Sequence, residues 1–129
     1  MPIARIEVRR NWTPEEQQNL MESVHASLVE AFKIPEHDRL IRYVEHRPEH
    51  FAIPPGATGN YTLVEISAFP GRSIEAKRNL YKGIVSRLGA AGIDPKDVRI
   101  VLHEVPMDNW GIRGGIPASE VDLGFKVTV

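Results

Sequence analysis

The 129 residues carry sixteen Lys plus Arg against seventeen Asp plus Glu, a formal net charge of -1, which gives no electrostatic reason to expect nucleic acid or an anionic membrane as partner. The absence of cysteine excludes a disulfide framework, thiolate zinc sites and a Cys nucleophile together. The length suits a single domain over 1–129, the start MPIARIEVRRNW lacks the apolar stretch of a signal peptide, and no run approaches a membrane span, so a soluble, cytoplasmic protein with a small-molecule or protein partner is expected.

Pro2 stands just before a stretch, IARIEV, that alternates apolar and polar residues as a half-buried strand does. Thr13 then offers an N-cap, Pro14 suits the first helical position, and Glu16 completes a capping box. A helix is predicted from there to about Phe32, with Leu20, Val24, Leu28 and Ala31 as its buried stripe. Pro35 ends the helical pattern, a turn over Glu36 to Asp38 follows, and Leu40 to Val44 resume with strand character. This is one βαβ unit.

A turn-rich connector, Ile53 to Gly59, leads into the same order again: a strand over Tyr61 to Phe69, a cap at Ser73, a helix burying Leu80, Ile84 and Leu88, and a strand from Val98 to Val105. Asn19-Leu20 corresponds to Asn79-Leu80, Leu28 to Leu88, Ile34 to Ile93, Asp38 to Asp97 and Glu45 to Glu104, at a spacing of roughly sixty residues. The expected fold is α/β, with pseudo-repeats over about 2–47 and 61–106 forming a four-stranded sheet that carries both helices on one face. The other face is expected to be apolar and to be covered by oligomerisation. After a loop holding Trp110, Gly111, Gly114 and Gly115, strict alternation from Val121 to Val129 predicts an added C-terminal strand suited to pairing with a neighbouring subunit.

Met-Pro at a strand start is also ordinary. Methionine removal before a small residue would, however, leave Pro2 with a free secondary amine, and an α-amino group titrates near ~8, closer to neutrality than any side-chain amine. Desolvation or a nearby cation would make it a base at neutral pH; a carboxylate would keep it protonated as an acid. Asp38 is either the cap of its turn or a partner of that amine. Arg72, just before the Ser73 cap, is either solvated or part of an anion site at a helix N-terminus. Trp110 reads as interface packing or as pocket wall. His46 and His50 are separated by Pro48 and make no helical metal pair, His25 is expected at the surface or an interface, and no P-loop, dinucleotide or nucleophile-elbow sequence occurs.

Taken with Pro2-Ile3, the stretches Asp38-Arg39, His46-Arg47-Pro48, Gly71-Arg72-Ser73 and Asn109-Trp110-Gly111-Ile112 make the chain resemble the malonate semialdehyde decarboxylase group of the tautomerase superfamily. That resemblance covers essentially the whole chain. It implies a homotrimer without metal or organic cofactor, with Pro2 as the catalytic proline and Asp38 positioning or polarising water or substrate near it. It further implies that Arg72 holds a substrate carboxylate and that Trp110 walls the pocket. One departure stands out: the group has Arg-Pro-Arg entering the second helix, whereas this chain has Pro70-Gly71-Arg72, one guanidinium clamp fewer. Arg113, flanked by Gly114 and close to Gly111, is a candidate for the missing cation.

The expected activity is keto-enol tautomerisation of a small 2-oxo acid or its enol, a small carboxylate, with Pro2 as acid/base. The alternative within the superfamily is decarboxylation or hydration of a three-carbon acid. From another class comes a ferredoxin-like binding module, disfavoured for RNA because Arg99 to Val105, taken as a central strand, lacks stacking aromatics.

Overall fold

The structure is a computed structural model describing residues 1–129. Strand β1 (Ile3–Val8) leads to helix α1 (Pro14–Phe32), whose start has the expected capping box: Thr13 Oγ1 accepts from the Glu16 N–H at 3.2 Å and Glu16 accepts from the Thr13 N–H at 2.9 Å. Such a cap stabilises a helix by about 1 kcal/mol. Lys33 ends α1 in a left-handed conformation, φ 58°, its N–H donating to the Val29 carbonyl. Strand β2 (Ile41–Glu45), strand β3 (Thr62–Ala68), helix α2 (Ile74–Ala90) capped by Ser73, and strand β4 (Val98–Glu104) complete the two units. A two-residue pair, β5 (Gly111–Ile112) with β6 (Ile116–Pro117), forms a small hairpin beyond them.

The sheet order is β2-β1-β3-β4, with β1 parallel to β2, β3 parallel to β4, and β1 antiparallel to β3. Within each unit the two strands bond to each other directly. A ferredoxin-like module splits them, so the order of elements that suggested such a module is realised here in a different topology. It also moves β4, read from the sequence as central, to an edge.

Both helices pack on one face, where Ala4, Ile6 and Val8 of β1 and Val64, Ile66 and Ala68 of β3 meet Leu20, Val24 and Leu28 of α1 and Leu80, Ile84 and Leu88 of α2. Truncating any of the fully enclosed leucines to alanine costs about 2–5 kcal/mol.

The opposite face is not the apolar surface expected. Alternation puts Arg5 and Glu7 of β1, Glu65 of β3, and Arg99 and His103 of β4 on it, and these pair across strands: Arg5 Nη2 to Glu65 at 2.6 Å, His46 Nε2 to Glu7 at 2.8 Å and His103 Nε2 to Glu65 at 3.1 Å. Ile3, Leu63, Val44 and Val101 are the apolar residues of this face. The period that buries Ala4, Ile6 and Val8 necessarily turns Arg5 and Glu7 outward.

The predicted C-terminal strand is also absent as a strand. Residues 121–129 keep the period-two burial, each odd residue part-buried and each even one exposed, and Phe125 and Val129 pack against the core. A strand, however, requires a hydrogen-bonded neighbour, and this chain offers the tail only Ser73, whose N–H and hydroxyl both donate to the Val129 carbonyl at 3.4 and 2.8 Å.

Candidate active site

Topology brings the singled-out residues to one end of the sheet. Because β2 is parallel to β1, the turn entering β2 lies beside the chain start, tied there by the Ala4 N–H on the Leu40 carbonyl at 3.0 Å. Because β3 is antiparallel to β1, its exit, Phe69 to Arg72, arrives at the same end, and the exit of β4 carries Trp110 there as well.

Asp38 closes a turn, its N–H donating to the Pro35 carbonyl at 3.0 Å, and its Oδ2 is buried without a hydrogen-bond partner. The nearest charge is the chain's α-amino nitrogen, on Met1, at 3.5 Å. The Pro2 nitrogen, itself in a buried residue, is the group that loss of Met1 would free. Burial pulls the terminal amine below its ordinary value, Asp38 opposes that shift, and Arg72 adds to it. The turn is pinned from behind by His25, whose Nε2 lies 2.8 Å from the Glu36 carbonyl. His25 is 1% exposed, against the surface or interface position expected. Its place three residues before Leu28, on the edge of the apolar stripe, was the available signal.

Arg72 is 5% exposed. Its guanidinium lies 4.8 Å from the Phe32 ring centroid, Nη1 donates to the Phe69 carbonyl at 3.3 Å, and Nε and Nη2 are buried with no partner. Desolvation pulls its pKa down, opposed by Asp38 and Glu104. It stays a cation throughout the physiological range. The C-terminal tail packs against the two chain neighbours of Arg72: Ser73 donates to the Val129 carbonyl, and Gly71, at φ 130°, lies so near the Val127 carbonyl that a Cβ there would stand 3.2 Å from its oxygen.

Trp110 Nε1 donates to the Val105 carbonyl at 2.9 Å, and its ring packs edge-on against Phe69 with centroids 5.0 Å apart. With Met1, Pro2, Asp38 and His37 it lines a cleft of about 430 Å³ whose one lining carboxylate is Asp38. Pro2, Asp38 and Trp110 therefore share one cavity, and Arg72 stands behind it rather than on its wall. A larger groove of about 710 Å³ lies between α1 and α2, but its Arg87 is already satisfied by Ser27 at 3.1 Å and Glu30 at 2.6 Å, whereas the smaller cleft holds the unpartnered Asp38 Oδ2 and is the better candidate site.

Comparison with known proteins identifies the fold and the family. Among relatives, the probable tautomerase YusQ of Bacillus subtilis is 26% identical over 121 residues, covering 89% of this chain and 95% of that protein. The 2-hydroxymuconate tautomerase of Comamonas testosteroni is 36% identical over 53 residues, 40% of this chain but 84% of that protein, as suits a relative about the length of one βαβ unit. The crystal structure of a malonate semialdehyde decarboxylase superposes with a TM-score of 0.80 at 27% identity, over 87% of this chain and 92% of that one. A fused 4-OT symmetric trimer shares the fold, with a TM-score of 0.76 at 24% identity over 91% of this chain and 96% of that one. Two family models described as tautomerase enzyme match residues 38–113 and 2–57, and the chain belongs to the tautomerase family.

Proposed function

We propose that the protein, once Met1 is removed, is a keto-enol tautomerase of a small 2-oxo acid or its enol, with the Pro2 amine as acid/base. The observation that carries this reading is the setting of the chain start: the Met1 amine is desolvated, lies 3.5 Å from Asp38 and feels the charge of Arg72, and loss of Met1 would leave the adjacent, buried Pro2 nitrogen as the amine in that setting. The neutral Pro2 nitrogen accepts the enol hydroxyl proton; as the carbonyl forms, the double-bond electrons take a proton at carbon and the amine returns to its starting state. Trp110 walls the cavity. Arg72 lowers the amine's proton affinity from behind, and it reaches a substrate carboxylate directly when Val127–Val129 move aside.

That movement belongs with assembly. A tail with alternating burial and no ladder partner gains one by pairing with a neighbouring subunit, and a closed homotrimer satisfies every tail at once. The trimeric assembly of the fused 4-OT protein, which has the same fold, supports this. Light scattering is expected to report three copies; a stable monomer at micromolar concentration refutes the assembly.

A second reading, decarboxylation or hydration of a three-carbon acid, is favoured by two observations: Asp38 beside the chain-start amine raises its proton affinity, and a malonate semialdehyde decarboxylase structure is 27% identical. Tag-free protein, checked by intact mass, should be assayed for ketonisation of phenylenolpyruvate and for release of carbon dioxide from malonate semialdehyde. Ketonisation by protein lacking Met1 is expected, and full activity in protein that retains it overturns the proline mechanism.

A further inference from the structure

Beside the cleft lies a second lobe of about 180 Å³ that shares Met1, His37 and Asp38 with it and adds Arg113, Leu123 and Phe125. Arg113 sits in the turn of the β5–β6 hairpin, closed by the Gly115 N–H on the Ile112 carbonyl at 3.1 Å. Both central residues of that turn have positive φ, 48° at Arg113 and 84° at Gly114. Glycine, asparagine and aspartate fill the first such position at least cost, because a Cβ disfavours the left-handed region. A long cationic side chain there is a local misfit.

The other guanidinium groups near this end are paired or enclosed. Arg39 pairs with Glu22 at 2.7 Å and with Glu36 at 3.7 Å, and Arg72 is buried against Phe32. Arg113 takes part in none of the chain's ion pairs. Across the two lobes Asp38 is the one carboxylate, and it already faces the chain-start amine at 3.5 Å, so Arg113 is left as a guanidinium without an anionic partner. Leu123 and Phe125 give the lobe an apolar wall for a short carbon skeleton.

We propose that Arg113 is a specificity-determining residue that holds a second anionic group of the substrate, so that the site prefers small dicarboxylates to monocarboxylates of equal length. The preference follows from charge and geometry: a guanidinium forms two parallel hydrogen bonds with a carboxylate, and the lobe offers a methyl group in that position only loss of water from an unpaired cation. The inference rests on this cleft being the substrate site.

Its test is independent of turnover. Calorimetric binding of fumarate and crotonate, which differ in one carboxylate replaced by methyl, is measured on the assembled, tag-free protein, with light scattering and circular dichroism confirming that each variant keeps its fold. Fumarate should bind at least ~10-fold more tightly to the unaltered protein, a typical reward for one charge-assisted pair. Arg113→Gln should erase that preference while leaving crotonate affinity within about twofold, and Arg113→Lys should restore part of it. Equal affinities in the unaltered protein, no binding of either acid, or a preference that survives in Arg113→Gln overturns the proposal. Loss of the preference in Arg113→Gln alongside undiminished enol ketonisation by Pro2→Ala would uphold Arg113 while removing the proline mechanism.

Discussion

The two βαβ units build the same corner twice, at opposite ends of the sheet, and finish it differently. Pro2 corresponds to Thr62, Trp12 to Arg72, and Asp38 to Asp97. At the end where the chain runs on without a break, Asp97 accepts from the Thr58 N–H at 2.8 Å and from its hydroxyl at 2.5 Å, and Trp12, 2% exposed, fills the place before the helix cap. At the end where the chain starts, a guanidinium stands in place of the indole, Asp38 Oδ2 has no hydrogen-bond partner, and an amine lies 3.5 Å from it. At one corner the carboxylate is fully hydrogen-bonded and structural. At the other the carboxylate and the guanidinium both keep buried atoms without a hydrogen-bond partner, an arrangement that persists in a folded chain where it serves a site.

The comparison breaks most visibly at the amine. Pro2→Ala retains a terminal amine but alters its basicity and its placement, and turnover should fall by ~10²–10⁴-fold, the usual worth of a positioned acid/base. Thr62→Ala, the corresponding position at the structural end, should leave turnover unchanged. Steady-state kinetics on enol substrate, with far-ultraviolet circular dichroism as a folding control, reads both. Next comes Arg72→Ala, which should cost ~2–4 kcal/mol of transition-state stabilisation. It should also move the acid limb of the pH–rate profile upward, because Arg72 lowers the amine's pKa. A profile that does not move would assign Arg72 to carboxylate binding alone.

Stability should show the inverse pattern. Asp97→Ala removes two hydrogen bonds to a charged acceptor and should cost ~1.5–3 kcal/mol in urea unfolding, whereas Asp38→Ala removes an atom already without a hydrogen bond and should cost less than ~1 kcal/mol. The Thr58 hydroxyl and N–H hold the Asp97 carboxyl below its ordinary value. Its contribution is therefore present above the unfolded-state pKa, ~3.9, and is lost as pH falls through the lower folded value. Equal costs at the two aspartates would dissolve the distinction between the corners.

Much of this frame was legible from spacing, because capping boxes, helical stripes and strand alternation are local. Thr13, Ser73 and the leucine pairs all fell where the periodicity put them. What separates Asp38 from Asp97 was not legible, since both close a turn after a helix and the difference lies in what stands opposite: a connector threonine or the chain start. The exposed sheet face was misjudged although IARIEV itself carries Arg5 and Glu7 in the outward phase. The tail's alternation was correctly visible, but a ladder partner is a non-local fact, and within one chain it is missing. Arg72 could not be expected to be buried, because a charged residue before a helix cap is ordinarily solvated.

The smallest expected effect is also the most discriminating, and it concerns Asp38→Asn. Asp38 raises the pKa of the chain-start amine chiefly through its charge, so removing the charge lowers that pKa further. If the neutral amine is the working form, as in taking a proton from an enol, the acid limb of kcat/KM moves to lower pH and the rate at neutral pH stays within a few-fold of the unaltered protein. If the protonated amine is the working form, as in polarising a carbonyl for decarboxylation, activity falls as pH rises through the amine's pKa, and the variant's alkaline limb moves down, away from neutrality. The water that Asp38 would place is lost at the same time, so little activity would remain. Because Asp38 Oδ2 has no hydrogen-bond partner to lose, the substitution isolates this electrostatic effect from stability. An Asp38→Asn protein that forfeits enol ketonisation as fully as Pro2→Ala, with its assembly intact, would move the preference from tautomerase to decarboxylase.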